Sequence, residues 1–127
     1  MRSSVSRRMA LGILAVSFLG LAIPEAFAFS ASFRWCSGSP AFSLRGVPKG
    51  TARLDFEMTD LQVPSYRHGG GRVAYSGQKS VPCGALGSYV GPSPPPPQVH
   101  TYEFEIKAIG ADGGTLGTAK ARRKFPE

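Results

Sequence analysis

Acidic residues are scarce in this chain: 8 Asp+Glu stand against 15 Lys+Arg, a formal net charge of +7. Cysteine and histidine occur twice each and tryptophan once. Neither Cys36 nor Cys83 has a Cys or His within four residues, which speaks against a zinc cluster. No G-x-S-x-G nucleophile elbow occurs and no alternating strand–helix pattern, so α/β-hydrolase chemistry is excluded. The 127 residues leave no room for a two-domain enzyme or a dinucleotide fold with a partner domain. There is no internal repeat and no interdomain linker.

The first 28 residues read as a secretory signal. Arg2, Arg7 and Arg8 form a basic start, Met9 to Ile23 is uncharged and apolar, and Ala26-Phe27-Ala28 puts small residues where a signal peptidase cuts. The apolar run is shorter than the roughly 18 residues of a spanning helix. Ser6-Arg7-Arg8-Met9 is similar to a twin-arginine signal, but Ala10 sits where that signal prefers a bulky apolar residue, which favours the general secretory route. The expected organisation is a signal over 1–28 and one domain over 29–127, exported to the periplasm or the exterior. Removing 1–28 takes away three Arg and one Glu and leaves a charge of +5. For an exported protein that charge suits solubility or peripheral contact with an anionic envelope surface, and argues against nucleic-acid binding.

Leu, Ile, Val and Phe supply only 19 of the 99 residues after position 28, while Gly and Pro supply 24. So thin a core sits near the border of folding. In an oxidising compartment Cys36 and Cys83 are expected to pair, and closing their loop stabilises by about 4 kcal/mol on the chain-entropy model. Free thiols or a metal role are the competing readings.

What is plentiful is alternation. Ala52, Leu54, Phe56 and Met58 interleave with Arg53, Asp55 and Glu57; Tyr102, Phe104, Ile106 and Ala108 interleave with Thr101, Glu103, Glu105 and Lys107. Period two means one face buried and one wet, hence antiparallel strands. Shorter strands are expected at Ala31–Trp35, Ala41–Leu44 and Arg72–Tyr75. Asp112-Gly113-Gly114 marks a hairpin into Thr115–Ala121, read as strand over short helix. The expected fold is all-β, a single small antiparallel sandwich with long Gly/Pro-rich loops. Gly91 to Pro97 is proline-rich, its prolines have no amide donor for a sheet ladder, and it should be a stiff loop framing something nearby.

Chemistry can come from few places. His68 lies in Ser65-Tyr66-Arg67-His68-Gly69-Gly70-Gly71, His100 opens the strongest strand, and Asp60 ends the other good one. Strand ends and loops commonly carry binding groups. Each has a plain alternative: a surface or hydrogen-bonded histidine, an aspartate capping its own turn. A metal triad of two His and one carboxylate is a further alternative, with no short H-x-D pair to support it. His68-Gly69-Gly70-Gly71 resembles the oxyanion loop of lipases, but without a nucleophile the glycines read as a loop whose amides hold an anion or permit tight turning.

Taken in order, Ser39-Pro40-Ala41-Phe42-Ser43, Val47-Pro48-Lys49-Gly50-Thr51, Asp60 with Pro64, Gly91-Pro92-Ser93-Pro94-Pro95, and His100 with Tyr102 resemble the phosphatidylethanolamine-binding protein family, also called Raf kinase inhibitor-like. The resemblance spans about Ser39 to Ala108. It implies a non-enzymatic β protein that needs no cofactor and has an open pocket for a small anion or phospholipid head group. Asp60 and His100 would line that pocket with Tyr102 close by. His68 would stand in for the family's His-Trp histidine, and Pro64, Pro92 and Ser93 would belong to the framing loops. Leu61 and Gln62 replace the family's Pro and second Asp, and Thr101 replaces its Arg. The chain is also shorter than full members. The alternative expectation is an envelope structural or protein-interaction module whose pocket is vestigial.

Overall fold

The computed structural model describes residues 27–127. Nine strands follow one another: β1 Phe27–Ala28, β2 Ser30–Arg34, β3 Ala41–Arg45, β4 Thr51–Asp60, β5 Gly69–Ala74, β6 Ser80–Val81, β7 Ser88–Tyr89, β8 His100–Gly110 and β9 Thr115–Phe125. They form a six-stranded sheet, β1-β9-β8-β4-β5-β7, and a three-stranded one, β2-β3-β6. All pairings are antiparallel except β1 with β9. The fold is thus the small all-β sandwich that the alternation predicts.

The period-two pattern holds from Leu54 onward; Ala52, expected on the same buried face, is exposed, because the register of β4 against β8 shifts between Thr51 and Arg53. Leu54, Phe56 and Met58 of β4, and Tyr102, Phe104, Ile106 and Ala108 of β8, are all buried. With few aliphatics available, aromatic rings close the gap between the sheets. Phe33 and Phe42 come from the small sheet, Phe56 and Phe104 from the large one. Phe42 meets Phe104 edge-on at 4.9 Å between centroids, Phe42 meets Phe56 at 4.7 Å, and Phe33 meets Phe104 edge-on at 5.1 Å. Edge-to-face pairs of this kind add about 0.5–1.5 kcal/mol beyond their buried area. Thr115–Phe125 is strand throughout, extending past the expected end at Ala121.

Two details depart from the sequence reading. The Gly69-Gly70-Gly71 segment is not an open loop with free amides: it is the first half of β5, paired with β4 on one side and β7 on the other. The backbones approach so closely that a Cβ on Gly70 would lie 1.9 Å from the Phe56 carbonyl oxygen, and one on Gly69 would lie 2.1 Å from that of Ser88. Glycine is there because nothing larger fits, and the anion-nest reading is withdrawn. Second, the short strands β1, β6 and β7 carry no usable pattern, being two residues each.

Cys36 and Cys83 are joined as a disulfide, tying the end of β2 to the segment after β6. A disulfide is compatible with an oxidising, exported location. Most of the expected signal lies outside the described residues. Its cut site after Ala28 coincides with the end of β1, whose two residues pair with Gly117 and Thr118. Among the described residues no helix is long and apolar enough to cross a membrane.

Candidate functional site

Asp60 and His100 are 40 residues apart in sequence and meet because β4 and β8 run antiparallel in register, with Asp60 opposite Tyr102. The His100 Nδ1–H donates to Asp60 Oδ2 at 2.6 Å, and both residues are buried. Asp60 Oδ1 accepts the backbone N–H of Gln62 at 2.9 Å and of Val63 at 3.3 Å. The carboxylate therefore caps its turn with one oxygen and holds an imidazole with the other. Burial alone would raise its pKa; the His100 ring and the Gln62 and Val63 amides outweigh that and hold Asp60 below the ordinary 3.8. On the far side of the ring, His100 Nε2 lies 2.7 Å from Gln98 Oε1. Both ring nitrogens are thus engaged by neighbouring side chains.

Tyr102 stands between the two histidines. Its ring lies 6.3 Å from His100, nearly parallel, and 5.4 Å from His68, edge-on. Burial pushes its hydroxyl up to about 12, helped by the Asp60 carboxylate it faces. A raised pKa means that the fold favours the neutral phenol. That contribution is complete below the ordinary value of 10.0 and is lost as pH rises through about 12. Denaturant midpoints followed across this alkaline range should fall less steeply for Tyr102→Phe than for the wild type. An identical slope for the two proteins would show that Tyr102 is not the titrating group; Tyr89, also raised to about 12 by burial, supplies the remaining dependence.

His68 sits just before β5, buried. Its Nδ1–H donates to the Val90 carbonyl at 2.8 Å, a bond that fixes the tautomer because a carbonyl only accepts. Tyr66 lies across the ring at 4.6 Å. No hydrogen-bond partner for Nε2 is found among the described residues.

Asp60, His68, His100, Tyr102 and Ser93 all line one cavity of about 190 Å³. Pro64 and Pro92 do not line it: Pro64 is exposed on the turn after Asp60, and Pro92, between Gly91 and Ser93 of the wall, is half-buried. The wall contains instead Val63, Tyr66, Gly91, Pro94 and Pro95. The proline loop thus frames a hollow, as its stiffness suggested, though through Pro94 and Pro95. Gln98 is the polar partner that sequence reasoning missed; its place two residues before His100, on the same side of an extended chain, is the signal that would have found it.

A larger open trough of about 620 Å³ runs over the glycine strand. Its Asp55 is paired with Arg53 and Arg72, and its Glu105 approaches Lys107, so its charges are largely satisfied within the sheet. The smaller cavity is the better candidate because it holds both imidazoles and one unengaged ring nitrogen. Both His100 nitrogens are engaged there, and no group of three metal-ligating side chains occurs among the described residues.

No protein-family model matches the chain, and no curated protein matches it in sequence.

Proposed function

We propose that this is an exported, non-enzymatic binding protein of the phosphatidylethanolamine-binding type, whose cavity takes a small anion or phospho-head group. The observation that carries the reading is His68, buried and with no partner for its Nε2 among the described residues, in a hollow it shares with the Asp60–His100 pair. His100 is held by Asp60 and Gln98 and forms the fixed wall. His68 is the group free to meet a ligand. Protonation turns its Nε2 from acceptor to donor while Nδ1 keeps its bond to Val90. Ser93 and the Tyr102 hydroxyl are further hydrogen-bonding groups of the wall.

The test is calorimetric titration with O-phosphoethanolamine and with inorganic phosphate. His68→Ala should weaken binding about tenfold, the loss of one charge-assisted hydrogen bond. Equal affinity for wild type and variant would overturn the reading.

A second reading is an interaction module of the envelope. Among the described residues the exposed large hydrophobics are Val63, Tyr66, Val90 and Val99, all in the segments that enclose this cavity or adjoin its residues. Val63 and Tyr66 line it, Val90 holds His68, and Val99 precedes His100. An apolar rim around a small polar hollow suits a protein surface that seats one polar side chain. Loss of partner capture in Tyr66→Ser, with no response of the wild type to either phosphate compound, would favour it.

A further inference from the structure

The two sheets carry charge differently. On the outward face of the six-stranded sheet, cations stand beside acids: Arg122 pairs with Glu103 at 2.8 Å, Arg53 with Asp55 at 2.9 Å, and Lys120 lies opposite Glu105. The three-stranded sheet has no such balance. Residues 27–54 and 61–102 contain no Asp or Glu, and β2, β3 and β6 all fall within those stretches. Arg34, Arg45 and Lys79 are exposed there and enter no ion pair among the described residues. Arg123 borders the same face, but it is engaged with Glu127 and with the Phe33 carbonyl.

Between these cations runs a row of hydroxyls. Inward alternation of Phe33, Phe42, Leu44 and Val81 turns Ser32, Ser43 and Ser80 to solvent. The pairing sets Ser32 beside Ser43 and Ser43 beside Ser80, one per strand, so the spacing is that of neighbouring strands, about 4.8 Å. The row crosses a shallow hollow of about 330 Å³ bordered by Arg34, and Arg45 and Lys79 border the next one, of about 390 Å³.

We infer that this face docks an anionic polysaccharide. An extended acidic glycan brings both complements: carboxylate or sulfate groups for the uncompensated cations, and hydroxyls for the serine row. A bilayer is a poorer match, because interfacial binding needs apolar side chains to bury, and the exposed large hydrophobics lie instead around the Asp60–His100 cavity. Nucleic acid is poorer too, because the rings that border these hollows, Tyr75, Phe33 and Phe42, are half-buried or buried, and no aromatic ring among the described residues stands exposed there for bases to stack on. The docking face is separate from the His68 cavity and stands or falls independently of it.

The experiment is a titration of the oxidised full chain with dextran sulfate at low salt, with neutral dextran, phosphatidylglycerol vesicles and a duplex DNA as comparisons. Dextran sulfate should bind, neutral dextran should not, and affinity should fall steeply with salt. R34S/R45S/K79S should weaken binding at least tenfold. R72S/K120S/K124S, which removes the same charge from the outward face of the other sheet, should change it less than threefold. Equal losses in the two triple variants would overturn the proposal by showing that only net charge matters. Tighter binding to the vesicles or to the DNA would overturn the choice of partner. Should the first triple variant fail to fold, R45Q alone should lower the slope of log affinity against log salt by about one, and an unchanged slope would count against the face.

Discussion

Replacing Asp60 by Ala should destabilise the protein by about 3 kcal/mol at neutral pH, the upper end of the cost of leaving a buried hydrogen-bonding group without its partner. The variant leaves the His100 Nδ1–H without its acceptor and strips the Gln62 and Val63 amides of theirs. For a domain whose whole stability is about 5–15 kcal/mol, that is a large fraction. Urea midpoints of wild type and variant measure it directly. The pH dependence has a definite sign. Because Asp60 is held below its ordinary value, its contribution is complete above that value and fades as pH drops through the lower, folded-state one. The gap between wild type and Asp60→Ala should therefore narrow under acid, below the ordinary 3.8. A gap under 1 kcal/mol at neutral pH, or one that widens under acid, would remove the pair from the list of things that hold this fold together.

Breaking the Cys36–Cys83 bond should cost about as much. Its ends lie 47 positions apart, and on the chain-entropy model a loop of that size is worth about 4 kcal/mol. Cys36→Ser/Cys83→Ser should lower the thermal midpoint by more than about 15 °C, since each kcal/mol moves a domain of this size by about 4–8 °C. Reductant should lower the wild type to the level of the double variant and leave that variant unmoved. The expectation is strong because the core is built from so few aliphatic side chains. If the double variant melts within a few degrees of the wild type, the aromatic layer between the sheets suffices without the crosslink.

How far the sequence could be read follows from what each segment must do. β4 and β8 bury one face against the core and wet the other, so alternation reports them. β5 offers no such report: Gly69 to Gly71 lack side chains, and glycine has poor strand propensity, yet the closeness of Phe56 and Ser88 demands it. β6 and β7 are positioned by tertiary contact alone. The candidate site was legible where strand ends carry it, at Asp60, His100 and Tyr102. Tyr66 escaped because a loop's path is not written in periodicity, Gln98 because its place two residues before His100 went unused, and Pro64 and Pro92 were expected to line the cavity on the strength of the resemblance alone.

The division of labour within the cavity has one more consequence. Asp60, His100 and Tyr102 belong to long paired strands, whereas Val63, Tyr66, Ser93, Pro94 and Pro95 hang on connecting segments that no ladder holds. A lineage of such chains can exchange the second group by drift, insertion or deletion while the first stays fixed, so the shape of the hollow can be retuned without putting folding at risk.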